Sequence, residues 1–114
     1  MYRYVEKNML ILDDTTFRFD FSIRQMEVLD DLTFILLAIP NQSSEIRNVY
    51  GYKHSNRIWQ VEDLSIRYPN RKNLPFEKIN ILNGDHLIGL DFYGRRYQIN
   101  AMTGMVISQI SSTK

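Results

Sequence analysis

The sequence has no cysteine, and only three prolines and five glycines among 114 residues. Without cysteine it forms no disulfide and no thiolate-based metal or redox site. Its longest apolar run, Phe34 to Ile39, is far short of the ~20 residues needed to cross a membrane as a helix. The opening stretch, Met1-Tyr2-Arg3-Tyr4-Val5-Glu6-Lys7, has no apolar signal-peptide core. A cytoplasmic location with no membrane partner is therefore expected. An excess of one charge is missing too: 14 Lys and Arg face 13 Asp and Glu, for a net charge of +1. Nucleic-acid binding needs a concentrated basic stripe to release counterions, so nucleic acid is not an expected partner.

The composition that is present is that of one globular domain, residues 1–114. The chain is 44% hydrophobic and 24% charged, enough for one modest core and too apolar for disorder. Aromatics make up 12%, which favours pleated, half-buried surfaces. Phe17, Phe19, Phe21 and Ile23 alternate with Arg18, Asp20 and Ser22. That period of two predicts a strand over 17–23 with its aromatics on one face. Asn8 to Leu12 predicts a strand before it, with Asp13-Asp14 as the turn. Residues 23–29 fit a bulged strand or a helical turn. Leu32 to Ile39 is apolar at both parities, as expected of a central strand covered on both faces.

Further strands are predicted over 46–52, 57–62, 76–82, 86–92, 95–99 and 105–110, separated by turn residues. Asp63 to Pro75 reads as one long irregular loop, a kind of segment that is usually functional or mobile. The expected fold is all-β: an antiparallel meander of about nine or ten strands, forming a β-sandwich or open barrel with little or no helix.

No catalytic pattern stands out. His54 occupies a predicted hairpin tip and His86 opens a strand, some thirty residues apart, whereas a metal site needs several converging ligands. The pairs Asp13-Asp14, Asp30-Asp31 and Glu62-Asp63 read as solvated turn residues. There is no G-x-S-x-G elbow, phosphate loop or calcium loop. No catalytic residue, cofactor, metal or obligate small molecule is expected. Trp59, within a strand, is expected in the core with its indole N–H bonded inside.

Two stretches carry a resemblance. One runs from Asn48 to Val61, with Asn48-Val49-Tyr50 leading to Trp59-Gln60-Val61; the other from Asp91 to Val106, ending in Asn100-Ala101-Met102-Thr103-Gly104-Met105-Val106. Their turns resemble the blade repeats of quinoprotein-type β-propellers, in which Asn caps the turn and Gly takes the left-handed position. A closed propeller needs about four or more blades, and this chain has strands for about two. At this length the same rhythm resembles small bacterial immunity proteins, including partners of toxins delivered by contact-dependent growth inhibition systems. That resemblance implies a protein that binds a cognate toxin domain, a nuclease being the expected class, and occludes its active site. No motif of that group fixes functional residues, so none is carried over. The balanced charge departs from the acidic character of many inhibitors of basic nucleases, so a pure charge decoy is not implied.

The expected partner is thus a protein, and the chain is expected not to be an enzyme. Candidate interface residues are Asp63, Arg67, Tyr68 and Arg71 in the long loop, with the acidic turn Asp30 and Asp31. Two other readings stay open. One is a small ligand-binding or hydrolytic barrel using His54 or His86. The other is a single-stranded nucleic-acid binder, for which the Arg67–Lys72 cluster around Tyr68 is the relevant feature.

Overall fold

A computed structural model describes residues 1–112. The chain is all-β, with eleven strands and one helical turn among the described residues. Three antiparallel meanders follow one another. The N-terminal sheet holds β1 (Arg3–Glu6), β2 (Met9–Leu12) and β3 (Thr15–Arg18). The middle sheet holds β4 (Ile23–Leu29), β5 (Leu32–Leu37), β6 (Val49–Lys53) and β7 (Asn56–Gln60). The outer sheet holds β8 (Phe76–Asn83), β9 (His86–Asp91), β10 (Arg95–Asn100) and β11 (Val106–Ser112). Among the described residues no barrel closes; the architecture is sandwich-like.

β5 explains the layering. Its side chains alternate between two cores. Leu32, Phe34 and Leu36 pack with Phe76, Ile79, Tyr97 and Ile99 of the outer sheet. Ile35 and Leu37 pack with Leu10 and Leu12 of the N-terminal sheet. All six residues of β5 are buried, which is why the segment is apolar at both parities. The middle sheet is thus covered on both faces, and two cores stack across it.

Four two-residue hairpins in the first two sheets lead with a residue of positive φ: Lys7, Asp13, Asp30 and His54. The short carboxylates of Asp13 and Asp30 tolerate that region better than branched side chains do.

Several expectations are corrected. The strand expected over 17–23 is interrupted: β3 ends at Arg18, and the chain bends before β4 begins at Ile23. The bend redirects the chain into another sheet, yet Phe17, Phe19, Phe21 and Ile23 still face one core. Residues 23–29 form β4, with a register shift between Ile23 and Gln25. β1 was not anticipated, because Tyr4 is exposed and Val5 only partly buried, so its pattern is faint. The long loop holds a helical turn, α1 (Leu64–Arg67). Its cap is Asp63, whose carboxylate accepts from the Ser65 N–H at 2.9 Å. Glu62 is no solvated turn residue either: it pairs with Arg67 and accepts from the Val106 N–H.

Two side chains join the middle and outer sheets. The Gln25 amide donates to the Ile79 carbonyl and accepts from the Ile79 N–H at 2.9 Å, standing in for a strand pair between β4 and β8. At the far edge, Trp59 donates to the Ala101 carbonyl at 2.8 Å. Its indole lies against two glycines, and a Cβ on Gly51 or Gly104 would come within 2.2 or 2.5 Å of the ring. The turn beside it follows its expected chemistry. Asn100 accepts from the Met102 and Thr103 N–H groups, and Gly104 has a φ of +72°.

Candidate functional site

The segment from Asp63 to Asn73 is pinned to the sandwich rather than loose. Asn73 donates to the Tyr68 and Arg71 carbonyls at 2.9 and 3.2 Å. Arg95 reaches the Lys72 carbonyl at 2.9 Å while its Nε pairs with buried Asp91 at 2.8 Å. Arg71 holds the loop from within. It donates to the Gln109 amide oxygen at 2.9 Å and to the Tyr97 hydroxyl. Its guanidinium lies 3.9 Å from the Tyr68 ring centroid, a close cation–π geometry. Tyr68 in turn packs 6.2 Å from Tyr97. Arg67 forks onto Glu62 at 2.9 and 3.1 Å. The carboxyl of Glu62 is opposed by partial burial, but Arg67 and the Val106 N–H outweigh this and hold it below its ordinary range. Ser65, through its hydroxyl and N–H, holds Asp63 low as well.

Between this segment and residues 43–47 lies a cleft of about 430 Å³, lined among others by Ser43, Ser44, Arg47, Asp63, Arg71 and Asn73. Arg47 is fixed there by bonds to the Val61 and Gln60 carbonyls. Two buried atoms of its lining residues, Arg71 Nε and Asn73 Oδ1, have no hydrogen-bond partner among the described residues. On the outer side of α1, Ile66 is 78% exposed.

Asp63, Arg67, Tyr68 and Arg71 therefore stand together, as their sequence proximity suggested. Asp30 and Asp31 do not join them. They form the β4–β5 hairpin, beside the β6–β7 hairpin, where Asp31 meets His54 at 3.2 Å. That end of the middle sheet is opposite the one from which β7 runs into α1. His86 belongs to the outer sheet and contacts Asn83 at 3.3 Å, so the two histidines stand on different sheets. Among the described residues no three His, Asp or Glu side chains form a group that could hold a metal ion. Also among them, no helix is long and apolar enough to cross a membrane. Sequence reasoning missed Ile66, Arg47 and Asn73. Nothing local marked them: Ile66 shares its segment with Leu64 and Leu74, which are buried.

The fold and site define a three-layer antiparallel β domain carrying a rigid Arg- and Tyr-anchored loop at one sheet end. The chain belongs to the family described as domain of unknown function DUF7957, whose model matches residues 1–110. Comparison with the curated proteins and with the solved structures gave no match.

Proposed function

We propose that this chain is a protein-binding domain whose docking face is the α1 loop, and that it acts in the cytoplasm as an immunity protein. In this reading it is not an enzyme: it binds a cognate bacterial toxin domain, of nuclease class, and covers its active site. The observation that carries the reading is the exposure of Ile66 beside the Arg71–Tyr68 stack, on a loop already held in place. Interfaces concentrate their energy in aromatic and Arg anchors with apolar neighbours. A loop ordered before binding loses less entropy on docking. The balanced charge supports recognition by shape and hydrogen bonding over a charge decoy.

The test is direct. The product of the neighbouring gene is co-expressed with the chain as the candidate toxin, and growth and complex formation are measured. Protection of the cells with a stable one-to-one complex supports the reading. Absence of both protection and binding sinks it.

A further inference from the structure

The N-terminal sheet does not cover the whole width of the middle sheet. β3 is its edge strand, and beside it a groove of about 460 Å³ opens over β6 and β7. Phe17, Phe19 and Phe21 line it together with Tyr50, Tyr52 and Arg57. Arg57 stands 5.6 Å from the Tyr50 ring centroid.

Tyr52 is the unusual member. It is fully buried, with its ring 4.8 Å from that of Phe17, yet its hydroxyl has no hydrogen-bond partner among the described residues. Tyr50 differs, since its hydroxyl receives the Gln60 amide at 3.1 Å. Buried hydroxyls are nearly always bonded, because leaving one unpaired forfeits its hydration for nothing. Burial holds the Tyr52 phenol well above its usual range, and Arg57 is the charge that opposes this. The group is therefore a neutral donor near a cation. Arg18, Asp20 and Glu45 also line the groove, so two carboxylates share it with two guanidinium groups. Arg57 takes part in none of the ion pairs among the described residues.

A protonated phenol and a guanidinium held in no ion pair, beside aromatic walls, suit an acceptor of negative charge with an apolar body. We infer that this groove binds a carboxylate, with the Tyr52 hydroxyl donating a hydrogen bond and Arg57 supplying the opposite charge. Hydrogen bonds to an ionised acceptor are about twice as strong as neutral ones. The volume falls within the ~300–1,000 Å³ of small-ligand pockets. The carboxylate belongs either to a free organic acid or to an acidic side chain of a polypeptide. The groove shares Glu45 with the cleft beside the α1 loop but is lined by no residue of that loop, and it does not depend on the toxin-binding reading.

Three probes test it on the full chain: phenylacetate, its uncharged analogue phenylacetamide, and the blocked tripeptide acetyl-Gly-Glu-Gly-amide. Binding is followed by NMR shifts of the backbone amides of residues 16–21 and 50–52. Saturable shifts with phenylacetate identify a free acid as the source, and shifts with the peptide alone identify an acidic side chain. In either case Tyr52→Phe and Arg57→Gln each weaken binding about tenfold or more, as loss of a charge-assisted partner requires. The Tyr52→Phe chain keeps its thermal stability, since it loses only an unpaired hydroxyl. The inference is overturned if neither acid binds at about 10 mM, if phenylacetamide binds as well as phenylacetate, or if Tyr52→Phe binds unchanged. No toxin enters the titration, so its failure leaves the α1-loop interface standing, and failure of toxin binding leaves this groove standing.

Discussion

Asn48 and Phe76 are joined in both directions: the Asn48 amide donates to the Phe76 carbonyl at 2.8 Å and its oxygen accepts from the Phe76 N–H at 2.9 Å. The same Asn48 amide also donates to the Leu37 carbonyl at 2.8 Å. A fully buried side chain thus ties β5, the start of β6 and the start of β8 together. Asn48→Ala removes these bonds from the Phe76 N–H and carbonyl, whereas the Leu37 carbonyl keeps the Ile39 N–H at 3.1 Å. Each unsatisfied group costs about 1–3 kcal/mol, so a loss of about 2 kcal/mol or more is expected in urea unfolding. An unchanged midpoint would show that the sheets do not depend on this junction.

Trp59 sets a second expectation. With its indole against Gly51, Gly51→Ala forces overlap in a packed core and costs about 1–3 kcal/mol. Gly104→Ala adds backbone strain at a φ of +72° to the same overlap and is the worse of the two. Thermal melts of the two variants give the ranking.

The acid limb of stability should run through Glu62. Its folded carboxyl sits below the ordinary value of 4.5 because Arg67 and the Val106 N–H outweigh partial burial. A depressed folded pKa contributes stability that is complete above the unfolded value and lost as pH falls through the folded one. Asp63 acts in the same direction. Glu62→Gln is therefore less stable than the parent at neutral pH, and the gap narrows below about pH 4.5. Melting temperatures taken from about pH 7 to about pH 3 would show it; a gap that stays constant counts against the pairing.

The proposed interface makes a separable prediction. Ile66 is 78% exposed, so Ile66→Asp leaves folding intact. If the α1 loop docks the toxin, the variant loses at least about tenfold in affinity, equal to about 1.4 kcal/mol. Tyr68→Ala does the same and removes the cation–π contact of Arg71, which keeps its bonds to Tyr97 and Gln109. Asp30→Ala and Asp31→Ala, at the other end of the middle sheet, change affinity less than twofold. Calorimetric titration of the four variants against the toxin domain maps the contact, and a reversed order would move the interface to the acidic hairpin.

Much of the fold was legible along the chain. Phe17, Phe19, Phe21 and Ile23 announced their common face, and the two-sided apolar run from Leu32 announced a covered central strand. The Asn100-to-Gly104 turn declared its own geometry. These are local matters, because the period of two and the sign of φ follow from a residue and its neighbours. The bend between Phe19 and Ser22 was hidden, since alternation survives a change of sheet. β1 was hidden because its half-buried edge carries a weak pattern.

The candidate sites were legible only in part. Asp63, Arg67, Tyr68 and Arg71 lie within one short segment, so their proximity could be read directly. That Arg71 would reach Tyr97 and Gln109, that Asp31 would meet His54, and that Tyr52 would be left with an unpaired hydroxyl depended on which sheet faces came together. The sequence by itself determined an antiparallel β protein with one strand buried on both faces, because side-chain alternation is a property of each strand alone. The tertiary structure decided the three-layer stacking, the seams at Gln25 and Asn48, and both clefts, because these arise from complementarity between residues tens of positions apart.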